Sequence, residues 1–124
     1  MQKQLIIKSM EKITDLSFLQ SFSGGDNSRI QKYVKMYLDS TPALFVSMEK
    51  AVQTADSKQL KSSAHTLKSQ VDYMGMRKTK ELLKSIEEDA LSGGDLQQVI
   101  PKITQVKEMM TQAETELKSF LGGN

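Results

Sequence analysis

The chain has 124 residues, which suits a single domain that buries roughly two-thirds of its unfolded surface. Its 17 basic and 15 acidic residues are spread along the chain and leave a formal net charge of +2, which disfavours a nucleic-acid-binding patch. Because there is no cysteine, disulfides, thiol nucleophiles and thiolate metal sites are excluded. No apolar run approaches the roughly 20 residues that span a bilayer, and Leu5-Ile6-Ile7 is too short for a secretory signal. We therefore expect a cytoplasmic protein that binds neither nucleic acid nor membrane.

Apolar residues recur at helical spacing along the chain. A leading helical segment over about residues 5–22 ends at the glycine pair of Ser23-Gly24-Gly25-Asp26, and Asp26 or Asn27 can cap the next helix. That helix is predicted to end near Ser40, because Thr41-Pro42 combines a cap residue with proline at a first helical position. A second major helix then presents an apolar stripe of Leu44, Phe45, Met48 and Val52.

The next predicted helix is strongly amphipathic. Asp56 or Ser57 can cap its start, and Gly75 can end it in the left-handed conformation that glycine adopts without steric cost. Its apolar positions are spaced by four, three, four and three residues and form one buried stripe: Leu60, Ala64, Leu67, Val71 and Met74.

Two further helices complete the pattern. One carries Leu82, Leu83, Ile86 and Ala90 and ends before Ser92-Gly93-Gly94-Asp95; the other has an apolar stripe from Leu96 to Phe120, in which Pro101 bends or delays the start. Each stripe is too narrow for a wholly buried helix, so each helix needs neighbours. We predict an all-α, up-down four-helix bundle over about residues 26–121, with an additional short N-terminal helix, as one domain spanning residues 1–124.

His65, the only histidine in the chain, stands within the amphipathic helix that begins near Asp56. At about 100° per residue, its side chain projects about 140° from the centre of the apolar stripe. Lys61, Lys68 and Asp72 share its side of the helix, with Ser62 and Ser69 just beyond. An exposed imidazole one turn from a lysine is suited to exchange a phosphoryl group with a protein partner.

The residues around His65 resemble the histidine-containing phosphotransfer (HPt) domain of multi-step phosphorelays. The family pattern is a small residue before the histidine, an apolar residue two positions after it, lysine at three, a small residue at four and glycine at ten. The chain supplies these as Ala64, His65, Leu67, Lys68, Ser69 and Gly75. The helix order and the flanking turns extend the resemblance over about residues 16–121.

The resemblance implies that Nε2 of His65 accepts a phosphoryl group from a receiver-domain aspartate and passes it to another receiver. Lys68 would offset the charge of the phosphoryl group. The receivers belong to response regulators or hybrid histidine kinases, and their own acidic site would hold magnesium, so this chain needs no cofactor or metal. The expected docking and access residues are Lys61, Ser62, Ser69, Asp72 and Gly75, although Gly75 is equally explained as a helix cap.

Four residues depart from the family pattern. The family often has glycine where Ser69 stands, and usually a small or neutral polar residue where Asp72 stands. Asp72 either adds negative charge near an incoming anion or forms an ion pair with Lys68 four residues before it. Tyr73 and Gln70 are also unusual near the site, and together with Asp72 they are candidates for tuning which receiver docks.

Other interpretations stay open at this point. No glycine-rich nucleotide loop or kinase signature is present, so the chain is not expected to use ATP itself. The acidic run Glu87-Glu88-Asp89 is interpreted as a solvated helix face.

The main alternative to a phosphocarrier is a helical module that binds or sequesters a receiver without transferring phosphate. A self-assembling helical structural protein is a third possibility, whereas a phosphocarrier is expected to be a monomer.

Overall fold

The computed structural model describes residues 12–122, and every regular element in that range is helical. The helices are α1 (Ser17–Phe22), α2 (Asn27–Gln53), α3 (Ser57–Tyr73), α4 (Arg77–Leu91) and α5 (Ile100–Phe120), and a 3₁₀ turn (Leu96–Val99) precedes α5. The all-α prediction is confirmed. Of the predicted leading helix, only α1 is helical; residues 12–16 are not, and residues 5–11 lie outside the described part of the chain.

Helices α2 to α5 form a bundle around one core. Each of them contacts the next along the chain, and α2 also contacts α5, so the four helices enclose the apolar stripes. The connections from α2 to α3 and from α3 to α4 are three residues long, and connections this short join antiparallel neighbours. The largest fully buried side chains are Leu19, Val34, Met48, Leu60, Leu67, Val71, Met74, Met76, Leu83, Ile86, Val99 and Leu117.

The predicted helix break at Thr41-Pro42 is wrong, because α2 runs through Pro42 without interruption. Proline has no N–H to donate, so the helix lacks one hydrogen bond here, at a cost of about 3 kcal/mol. The Thr41 hydroxyl donates to the carbonyl oxygen of Tyr37 at 2.8 Å, within the same turn. Tyr37, Thr41 and Phe45 are all buried. The free energy gained by burying one continuous stripe on both sides of the proline therefore outweighs the local preference of Thr41-Pro42 for a helix end.

Aspartate side chains cap the helix starts that the sequence indicated. Asp26 accepts from the backbone N–H groups of Ser28 and Arg29, and Asp56 accepts from that of Gln59 at 3.0 Å. Asp95 caps the 3₁₀ turn. The 3₁₀ turn precedes α5, which therefore begins only at Ile100. Pro101 then lies in the first turn of this helix, where its missing N–H has no hydrogen-bond partner to lose.

Residues 12–16, named here the N-terminal arm, lie across the ends of α3 and α5. The Glu116 carboxylate accepts from the backbone N–H groups of Ile13 at 2.8 Å and Thr14 at 2.9 Å, and from the Thr14 hydroxyl. The Asp15 N–H donates to the carbonyl oxygen of Met74 at 2.9 Å. The arm thereby positions α1, which follows it directly in the chain.

Gly75 is the point at which the N-terminal arm meets the end of α3. Its φ of +67° is in the left-handed region that disfavours side chains, as the sequence predicted for a helix cap. A Cβ at this position would also overlap with the carbonyl oxygen and Cβ of Asp15. Glycine is therefore required here both by the backbone conformation and by the close approach of the arm.

Substitution of Gly75 by alanine is expected to lower the free energy of unfolding by about 2 to 4 kcal/mol, because strain from the positive φ adds to the overlap with Asp15. Gly93→Ala is the matched control: φ is +77° and no atom lies within 4 Å of the added Cβ. The control should lose only about 1 kcal/mol. Urea unfolding measures both variants, and equal losses would contradict the proposed packing against Asp15.

Glu116 is expected to make attachment of the N-terminal arm dependent on pH. Burial raises the pKa of Glu116, but hydrogen bonds from Ile13, Thr14 and Gln112 together hold it below its ordinary value of 4.5. Because the folded-state pKa is the lower one, this contribution is complete above pH 4.5 and is lost as the pH falls through the folded-state value. The protection of the Ile13 and Thr14 amides from hydrogen exchange, taken relative to the intrinsic exchange rate at each pH, should therefore fall in acid.

At neutral pH, Glu116→Gln should accelerate the same two amides, whereas Glu114→Gln serves as the control. Glu114 is half-exposed and pairs with Lys118 on its own helix at 3.6 Å, away from the arm. Unchanged exchange in Glu116→Gln would show that the carboxylate does not hold the arm.

Candidate functional site

His65 lies on α3 with its side chain 63% exposed. All five residues of the predicted apolar stripe on the opposite side of α3 are buried. A polar cluster between α2 and α3 helps to orient this helix: the hydroxyls of Ser47 and Ser63 are 2.9 Å apart, and the Gln59 amide donates to both. The sequence therefore predicted correctly which face of α3 is buried and which face carries the imidazole.

Glu87 on α4 joins His65 and Lys68. Its Oε2 lies 2.9 Å from Nδ1 of His65, and its Oε1 lies 2.7 Å from Nζ of Lys68. The Glu87 side chain is only 12% exposed, and Lys68 is 24% exposed. Burial raises the pKa of Glu87, but the Lys68 ammonium and the hydrogen bond with His65 outweigh burial and hold the pKa below its ordinary value. The carboxylate is therefore ionised at neutral pH.

This contact determines which nitrogen of the neutral imidazole carries the proton. An ionised carboxylate can only accept hydrogen bonds, so Nδ1 of His65 must be the donor to Glu87. The lone pair is then on Nε2, the nitrogen that does not face Glu87. On an exposed helix face, that nitrogen is available as a nucleophile to a group brought by a partner.

The interpretation of Glu87-Glu88-Asp89 as a solvated face is wrong for two of its three residues. Glu88 is exposed, but Glu87 contacts His65 and Lys68, and Asp89 accepts from Lys102 of α5 at 2.6 Å. The sequence held a signal for this. Glu87 is four residues after Leu83 and three before Ala90, both buried, so it lies on the flank of the α4 stripe. A charged residue at such a position faces a neighbouring helix.

The predicted docking residues occupy one side of the bundle. Lys61, Ser62, Ser69 and Asp72 are all exposed. Asp72 forms an ion pair with Lys80 of α4 at 3.1 Å rather than with Lys68, which is already paired with Glu87.

Beyond Ser69, the His65 face of α3 ends in an open cavity of about 490 Å³. Ser69 and Asp72 line it from α3, and Phe18 lines it from α1. Gly75 also lines this cavity and lies beneath the N-terminal arm. Its structural role is to let the backbone of the arm approach the end of α3 closely.

Residues 12–122 contain no group of three or more histidine, cysteine, aspartate or glutamate side chains arranged to hold a metal ion. None of the helices in this range combines the length and the apolar character needed to cross a membrane.

Comparison with known proteins agrees with this geometry. The family model described as the Hpt domain matches residues 32–116, and the chain therefore belongs to the Hpt domain family. The matched range contains His65, Lys68 and Glu87. Membership supports a phosphocarrier role in a phosphorelay, since Hpt domains are phosphotransfer carriers rather than kinases.

A solved structure shows the same fold. It is the crystal structure of the HPT domain from a sensor hybrid histidine kinase of Shewanella, with a TM-score of 0.76 and 20% sequence identity over 90% of this chain and 96% of that chain. Comparison with curated protein sequences gave no significant match. The helical bundle is thus shared with an HPt domain, in agreement with the fold predicted from the sequence.

Replacement of Glu87 by alanine is expected to change the tautomer of the neutral His65 ring. In the wild type the proton should be on Nδ1, because Glu87 accepts from it; without the carboxylate, the proton should move largely to Nε2. Long-range ¹H–¹⁵N correlation of the imidazole distinguishes the two forms. Glu88→Ala is the control, since Glu88 is adjacent but exposed. A wild-type tautomer in Glu87→Ala would contradict the assignment.

Proposed function

We propose that this protein carries a phosphoryl group on His65 between receiver domains of a two-component phosphorelay. The observation that carries the proposal is the hydrogen bond between Nδ1 of His65 and Glu87, within a face that is otherwise open to a partner. A surface histidine without such a role would need no largely buried carboxylate to orient its ring. The family membership supports receiver domains as the partners.

The transfer step is a displacement at phosphorus. The Nε2 lone pair of His65 attacks the phosphoryl group carried by the receiver's aspartate, the N–P bond forms, and the P–O bond to the aspartate breaks. The aspartate leaves as a carboxylate. The Nδ1 proton stays on the ring, so the ring gains positive charge as the bond forms, and the Glu87 carboxylate stabilises that charge. Attack by the next receiver's aspartate reverses these changes.

Lys68 is proposed to offset the negative charge of the transferring phosphoryl group. Glu87 holds its ammonium at 2.7 Å, one helical turn from His65. The pair therefore keeps a positive group near the site without burying an unpaired charge in the absence of phosphate.

The remaining chemistry is assigned to the partner. We expect magnesium to be held by the acidic site of the receiver, with no cofactor or metal bound by this chain. Lys61, Ser62, Ser69 and Asp72 are proposed to contribute to the docking surface around His65. We further expect the protein to act in the cytoplasm as a monomer, with receivers of response regulators or hybrid histidine kinases as donors and acceptors.

Incubation with a panel of phosphorylated receiver domains should label the wild-type protein and leave His65→Gln unlabelled. The label should be acid-labile and alkali-stable, as a phosphoramidate is. Lys68→Ala should still be labelled, but at least about tenfold more slowly, because one charge that stabilises the transition state is lost. Lys107→Ala is the control, since Lys107 is exposed on α5 and is not part of the proposed docking surface. Its rate should stay within about twofold of the wild type.

The same experiment distinguishes the carrier from a binding module. If no receiver transfers label, yet some bind the wild type and His65→Gln with equal affinity, the protein sequesters receivers and the carrier proposal is wrong.

A further inference from the structure

Four of the seven aromatic side chains of the protein meet on its surface. Phe18 and Phe22 of α1 stack with their ring centroids 5.9 Å apart. Tyr73 of α3 lies 6.1 Å from Phe18, and Tyr33 of α2 lies 6.1 Å from Phe22. We name these four residues the aromatic strip. Phe18, Phe22 and Tyr73 are 53%, 62% and 51% exposed, so the strip leaves much apolar surface in water.

The aromatic strip is continuous with the His65 face. Tyr73 is eight residues after His65 on α3, a rise of about 12 Å along the helix. Ser69 and Asp72, which are on the His65 side of α3, line the same cavity as Phe18 and Tyr73. A standard protein interface covers about 800 Å² on each partner, which is a disc of about 16 Å radius. A partner centred on His65 therefore extends as far as Tyr73, whose ring lies against Phe18.

The N-terminal arm holds the α1 part of the aromatic strip, Phe18 and Phe22, in position. The arm is attached through Glu116 and packs on Gly75, and α1 begins directly after it at Ser17. Leu19, on the other side of α1, is buried in the core. The exposed rings of Phe18 and Phe22 are thus carried by a helix that is fixed at two places. Docking of a partner does not have to order these side chains, and the smaller entropy cost favours binding.

Phe18 and Phe22 stand outside the family-matched range of residues 32–116, whereas His65, Lys68 and Glu87 are inside it. The residues assigned to the chemistry thus lie inside the range that the family model matches, and the exposed rings of α1 lie outside that range. Aromatic side chains are enriched among the residues that dominate binding energy at interfaces.

We propose that the aromatic strip is a docking contact that sets the affinity of this protein for its receiver domain, through an apolar patch on the receiver beside the phosphorylated aspartate. This inference rests on the proposed phosphocarrier function and adds a determinant of partner affinity to it. Around the strip, the Asp72–Lys80 ion pair and the exposed Arg77 provide a polar rim.

The test measures the initial rate of phosphoryl transfer from the most active receiver as a function of its concentration, for the wild type and for Phe18→Ala, Tyr73→Ala and the double variant. The half-saturating receiver concentration should rise about tenfold in the double variant, while the rate at saturation changes by less than about twofold. Val46→Ala is the matched control, since Val46 is 59% exposed on α2 and away from the strip. Its half-saturating concentration should equal that of the wild type. Thermal unfolding confirms that each variant is folded.

Each outcome decides between the proposals. Label on the wild type with equal half-saturating concentrations in all variants would overturn the docking role of the strip and leave the carrier function intact. A fall in the saturated rate alone would also overturn it, because the rings would then act on the chemistry. Self-association of the wild type that is lost in the double variant, with unchanged transfer, would assign the strip to a second copy of the chain. Absence of label on the wild type from every receiver would overturn both proposals.

Discussion

The carboxylate of Glu87 is the group on which the geometry of the site depends. It comes from α4, yet it orients the imidazole of His65 and holds the ammonium of Lys68, both on α3. This requires α3 and α4 to keep a constant separation, which their shared core provides through buried residues such as Leu67 and Leu83. Lys102 of α5 contacts Ser85 and Asp89 of α4 and so restrains α4 on its other side. The bundle thus serves as a rigid support for one exposed nitrogen.

A second constraint acts at the end of α3, where the N-terminal arm crosses the bundle. Gly75 allows the backbone of Asp15 to approach closely, and Glu116 accepts three hydrogen bonds from Ile13 and Thr14. Without this attachment, α1 would be a six-residue helix with little of its own to stabilise it, since isolated helices this short do not form in water. The position of the exposed aromatic residues of α1 therefore depends on hydrogen bonds between the arm and the side chain of Glu116, more than 100 residues later in the chain.

The error at Pro42 shows where local sequence signals fail. Proline after threonine is a good helix start, and the sequence offers nothing at that point to distinguish a start from an interior position. The deciding term is the burial of Tyr37, Thr41 and Phe45 along one face, which depends on α3 and α5 being present to receive them. Pro101 raises no comparable conflict, because it lies in the first turn of α5, and a delayed start of that helix is among the outcomes that the sequence predicts.

The sequence by itself determined the helical class, most helix ends and the exposure of His65 opposite a buried stripe. These are properties of a single helix, set by the spacing of its own residues and by capping side chains a few positions away. The tertiary structure alone decided that Glu87 pairs with His65 and Lys68, that Asp72 pairs with Lys80, and that Asp15 lies against Gly75. These contacts join different segments of the chain, and their partners are chosen by how the helices rotate and pack. A pattern read along one helix carries no information about which residue of a neighbour will face it.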